Sequence, residues 1–119
     1  MDAKVIALDS IQEEALGDLT RRVMVTPPRT GNRYLRVVYV TGNPGGRARV
    51  HTHPGEEALF TIQGKAAITV DGERHILEPN SVFVVPPRLE HPLEILGDTP
   101  WIAVCSFCDD CPLMANAPA

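Results

Sequence analysis

Two imidazoles lie two residues apart in His51-Thr52-His53, a carboxylate follows at Glu57, and a third imidazole comes later at His91. On an extended strand, positions i and i+2 face the same way, so His51 and His53 can converge on one point. Pro54 and Gly55 supply a turn that brings Glu57 back toward that point. Three neutral imidazoles and a carboxylate form a borderline nitrogen and oxygen donor set, suited to divalent Fe, Mn, Ni, Co, Cu or Zn. Around an octahedral ion, four protein donors leave two positions open, which distinguishes a working site from a closed structural one. An H-x-H pair alone is more often an ordinary surface or core pair, so its surroundings must decide. Glu56 competes with Glu57 as the carboxylate, but strand parity sends it to the opposite face. His75 follows the Asp71-Gly72 turn and reads as a surface histidine rather than a ligand.

The elements that must hold these groups are short. Runs with β character, divided by Gly, Pro and Asp about every ten residues, indicate an all-β sandwich or barrel. They cover 20–25, 33–40, 48–53, 57–63, 66–70, 73–77, 82–85, 93–96 and 101–107. Asp71-Gly72 predicts a type I′ hairpin turn, where both central residues take positive φ. The only helical signal is a capping box from Ser10 to Glu13 ahead of Ala15 and Leu16. Strand 57–63 carries apolar bulk on both faces, as does Val82 to Val85, so at least one sheet is expected to be covered on its outside as well. A homodimer would supply that cover.

The 119 residues suit one domain, and nine glycines with eleven prolines make it rich in turns. A net charge of −4 and the lack of a basic stripe argue against a nucleic-acid partner. No apolar stretch is long enough to span a bilayer, so no membrane partner is expected. The N-terminus carries acids from Asp2 onward and lacks the basic and apolar regions of a secretory leader, so a cytoplasmic location is expected. Three cysteines fit a reducing compartment better than a disulfide framework. Cys105, Cys108 and Cys111 are spaced C-x2-C-x2-C, open to a second metal site, a reversible Cys108 to Cys111 disulfide, or inert thiols.

The frame of Gly45, five residues, His51-x-His53, three residues, Glu57, six residues and Gly64 resembles the first motif of the cupin family at every fixed position. A second cupin motif is partly kept: Pro86 and His91 match it, while Asn80 and Arg88 stand where it has glycines and Ile95 where it has asparagine. The resemblance implies a six- to eight-stranded antiparallel jelly-roll barrel, usually dimeric, over residues 33–107. Residues 1–32 would then be an N-terminal segment, a short helical turn and strand packing on the barrel or a partner subunit, and 108–119 a loose tail. It also implies one divalent transition metal per barrel, held by His51, His53, Glu57 and His91.

Such an ion with two open positions suits a small substrate that chelates through two oxygens, such as an enediol, a β-diketone or a 2-hydroxyketone. Oxidative cleavage by a dioxygenase is the first expectation. Metal-dependent isomerisation or elimination on a sugar-derived or acidic molecule is the second, with Tyr34, Tyr39, Gln63 and Glu90 as candidate bases and Arg36, Arg47 and Arg49 as candidate carboxylate holders. A non-catalytic metal or ligand binder is the third. Six aromatic residues offer little for stacking a large aromatic substrate.

Overall fold

The alternation of apolar and polar residues produces strands in two antiparallel sheets in the computed structural model, which describes residues 2–49 and 54–108. In chain order the strands are β1 (Glu14–Leu16), β2 (Leu19–Val25), β3 (Leu35–Gly42), β4 (Arg47–Ala48), β5 (Glu57–Gln63), β6 (Lys65–Val70), β7 (Glu73–Leu77), β8 (Ser81–Val85), β9 (Leu93–Leu96) and β10 (Trp101–Cys108). One sheet has the order β1-β2-β3-β10-β5-β8 and the other β4-β9-β6-β7. This is the all-β jelly-roll arrangement the sequence predicts. The described strands exceed six to eight, because β1 and β2 from the N-terminal segment pair onto β3 and extend the larger sheet.

Between the sheets lies one apolar core, in which Leu19, Leu59, Ile68, Val85, Ile95 and Trp101 are almost fully buried. Parity decides who enters it. Along β5, Glu57, Leu59 and Thr61 point inward, while Phe60 and Ile62 remain 43% and 45% exposed on the outside. Val82 and Val84 of β8 join them at 58% and 60%. Val82 lies opposite Phe60 and Val84 opposite Ala58, so an apolar ladder runs along this edge of the larger sheet.

The turns carry the expected chemistry. Asp71 and Gly72 both take positive φ, 52° and 78°, as a type I′ hairpin between β6 and β7 requires. At Gly64 φ is 75°, and a Cβ there would stand 2.6 Å from the Pro100 carbonyl oxygen. The capping-box helix, however, does not form. A 3-10 turn spans Leu8–Ser10, the Ser10 hydroxyl donates to the Ala7 carbonyl, and Ala15 and Leu16 are drawn into β1 by pairing with Thr20 and Leu19. Cross-strand pairing there outweighs a weak local signal. The sequence reading missed a one-turn helix, α1 (Pro27–Thr30), which starts on a proline and stops at Gly31 with φ 78°. Among the described residues, no helix is long and apolar enough to cross a membrane.

Candidate metal centre

Glu57 is the first residue of β5 and is paired on both sides, with Val85 of β8 and Phe107 of β10. Its inward parity leaves the carboxylate 6% exposed, while Glu56 just before it is exposed, as parity predicts. His91 arrives from the loop between β8 and β9 and is 1% exposed. Its Nε2 lies 3.0 Å from Glu57 Oε2. Its Nδ1 lies 3.0 Å from the Leu89 carbonyl oxygen. A carbonyl and a carboxylate both only accept, so Nδ1 carries a proton and donates to Leu89, and Nε2 can bond Glu57 only when it is protonated as well.

Burial works against a charged imidazole. The hydrogen bond with Glu57, the Leu89 carbonyl and the Glu57 charge outweigh it, so the His91 pKa rises above its ordinary 6.5. Cys105 shares this interior. It sits opposite Leu59, diagonal to Glu57 on the same face of the β5 and β10 pair. Burial, then the Glu57 charge and a hydrogen bond to it, push the thiol well above the ordinary range. Parity alone placed Cys105 inside; its proximity to Glu57 depends on the register of β10, which the sequence does not display.

The loop that carries His91 is shaped by unusual backbone. Arg88 has φ 63° and Asn80, at the turn before β8, has φ 62°. These are the two positions at which the second motif has glycine, so the left-handed geometry persists without glycine. The Asn80 amide donates to the Thr61 carbonyl at 2.8 Å, tying that turn to β5. Ile95, at the motif's asparagine position, is a core residue. On the other side, Gly55 approaches the end of β10 so closely that a Cβ would stand 1.9 Å from the Cys108 carbonyl oxygen.

His51 and His53 lie outside the described residues. Among the described residues no group of three His, Cys, Asp or Glu side chains is arranged to hold a metal ion, and Glu57 with His91 form the described part of the predicted donor set. An imidazole nitrogen and a carboxylate oxygen, both desolvated in an otherwise apolar barrel, fit a divalent transition ion in donor type and burial. The remaining candidates disperse. Glu90 is exposed, Gln63 donates to the Pro100 carbonyl, Tyr34 lies at the surface under Arg33, and Tyr39 lines an outer groove with Arg22. None of these four reaches the interior as a base. Arg36 bonds the Thr26 hydroxyl, and Arg47 lies near Glu94 on the outside. His75 lies partly exposed beside Phe83, with ring centroids 4.9 Å apart.

Cys105 and Cys108 occupy odd and even places on β10, so their side chains leave opposite faces. Cys105 is a buried free thiol and Cys108 is disulfide-bonded. Cys111 lies outside the described residues.

The family model described as "Cupin domain" matches residues 38–107. The chain is 29% identical over 83 residues to the polyketide synthase CurC of Streptomyces cyaneus, covering 69% of this chain and 53% of that protein. It spans about half the length of the curated relatives it matches. Its fold is similar to that of the polyketide cyclase RemF from Streptomyces resistomycificus, with a TM-score of 0.76 at 16% identity over 94% of this chain and 83% of that one. It is also similar to that of a predicted oxalate decarboxylase from Thermotoga maritima, with a TM-score of 0.77 at 12% identity over 90% of this chain and 100% of that one.

Proposed function

The chain belongs to the cupin family, and on that premise we propose that it is a metal-dependent enzyme acting on a small substrate that chelates through two oxygens. The observation that carries this reading is the Glu57 and His91 pair, desolvated and 3.0 Å apart inside the barrel. Two ionisable groups buried together are costly to a fold unless they are paired or used. With His51 and His53 they would hold one divalent ion. When bound, that ion supplies Lewis-acid polarisation of substrate oxygens and, if redox-active, electrons for dioxygen.

The chain's own residues divide the remaining work. Leu89 fixes the His91 tautomer so that Nε2 stays available to the site. Leu59 and Val85 exclude water beside Glu57, and Trp101 donates to Thr61 at 3.2 Å, which satisfies both of those buried side chains. Cys105 faces the same interior as Glu57 and stays a protonated thiol there. Substrate would enter at the end of the barrel where Glu57 and His91 lie.

Within this reading, oxidative cleavage by a dioxygenase is the first proposal. A second, oxygen-independent isomerase or lyase reaction is favoured by the likeness to a polyketide cyclase. Elemental analysis followed by an oxygen electrode separates them. A dioxygenase consumes O₂ on a diketone or enediol only when loaded with a redox-active metal, whereas the second reaction proceeds anaerobically with Mn²⁺ or Zn²⁺. Binding without turnover under both conditions would overturn the enzyme reading in favour of a ligand binder. We also propose that the protein is a cytoplasmic homodimer, a reading supported by the exposed apolar ladder of Phe60, Val82 and Val84 as a surface for the second copy.

A further inference from the structure

The outer face of the smaller sheet carries a concavity of about 380 Å³ rimmed by three guanidinium groups, Arg47, Arg49 and Arg74, against one carboxylate, Glu94. Strand register explains the grouping. One cross-strand row runs Arg47, Glu94, Ala67 and Ile76. A second runs from Pro92 through Thr69 to Arg74, and Arg49, one residue beyond β4, lines the same hollow. The Thr69 amide donates to the Pro92 carbonyl at 3.1 Å, and Thr69 lies opposite Arg74. Their neighbours Ala48, Leu93 and Ile68 face the core, so both rows face outward. Small residues thus floor a trough with a guanidinium at each end.

The charges do not cancel. Glu94 lies 3.5 Å from Arg47, while Arg49 and Arg74 make no ion pair among the described residues. Two positive charges therefore remain over one small hollow in a chain whose net charge is −4. Guanidinium forks match the oxygens of carboxylate and phosphate groups in a bidentate manner. The volume also lies within the range of about 300–1,000 Å³ usual for small-ligand sites.

We propose that this trough binds a compact, doubly charged oxyanion, with Arg49 and Arg74 gripping it from opposite ends and the Thr69 hydroxyl donating from the floor. The site is independent of any metal inside the barrel, because its side chains leave the other face of the sheet. A phosphate group and a dicarboxylate share the required chemistry.

Amide NMR of the full chain, titrated separately with inorganic phosphate and with succinate at constant ionic strength, tests the proposal and distinguishes the two sources. Saturable shifts at Ala67, Thr69, Arg74 and Glu94 are expected, with the tighter arm identifying the ligand class. Arg49→Ala and Arg74→Ala should each weaken binding about tenfold, the loss expected for a hydrogen-bonded charge. The double variant should abolish saturation while its remaining spectrum stays native. Shifts that grow linearly in both arms, that survive the double variant, or that centre on Glu57 and His91 would each overturn it.

Discussion

Glu57 and His91, from opposite ends of the barrel motif, meet at 3.0 Å with 6% and 1% of their side chains exposed. One is the first residue of a strand and the other hangs from a loop, so their meeting depends on the whole sheet between them. Glu57→Gln keeps the shape of the side chain and removes the charge. Metal retained after gel filtration, measured by elemental analysis, should fall by at least about tenfold in this variant while circular dichroism stays unchanged. Full occupancy would sink the ligand assignment.

The raised pKa of His91 has a sign that can be checked. A group whose folded value exceeds its unfolded 6.5 stabilises the metal-free fold fully below 6.5, and that contribution disappears as pH rises through the folded value. Chelator-treated protein should therefore lose Tm as pH climbs above 6.5, and His91→Gln should flatten that slope. Metal affinity should run the other way over the same window, because an ion and a proton compete for Nε2.

Cys105 should be a silent thiol. Its burial and the adjacent Glu57 carboxylate keep it protonated at neutral pH. Iodoacetamide at pH 8 should leave the peptide containing Cys105 unmodified in native protein and label it fully in urea, as read by mass spectrometry. Rapid native labelling would contradict the position given to it.

Backbone strain at Arg88 can be relieved. A left-handed conformation costs an ordinary L residue about 1–2 kcal/mol, partly offset by the extra chain entropy of glycine, about 0.5–1 kcal/mol. Arg88→Gly should then stabilise the protein by roughly 0.5 kcal/mol in urea unfolding. Asn80→Ala should destabilise it by about 1 kcal/mol, because asparagine tolerates φ 62° and alanine does not.

Val84→Lys puts a charge on the exposed ladder beside Phe60. If a second copy packs there, light scattering should give twice the chain mass for the parent and one chain mass for the variant. An unchanged dimer in the variant would place the interface elsewhere.

Much of the fold was legible where the signal is local. The limits of β5, β7 and β9 agree with the runs at 57–63, 73–77 and 93–96, because alternation stops at Gly64, at Asp71-Gly72 and at Gly97. Glu57 was separable from Glu56 by parity alone. Non-local pairing was not legible. Ser10 and Glu13 suggested a helix because nothing nearby reveals that Leu16 will face Leu19 across a strand pair. Tyr39 stood among candidate bases because parity assigns it a face without saying which face looks inward. Asn80 was readable as a left-handed residue, but Arg88 was not, since its conformation is imposed by the loop that delivers His91.

The strand at the centre of the larger sheet, β10, follows the other described strands in sequence, and it joins β3 to β5. Synthesis and assembly therefore run in different orders. Until Trp101 to Cys108 leave the ribosome, β3 and β5 each carry an open hydrogen-bonding edge, and the nascent chain holds two half-sheets that cannot close. Folding of the larger sheet should wait for β10 and be slow, since its central contacts are also the most distant in sequence among the described strands.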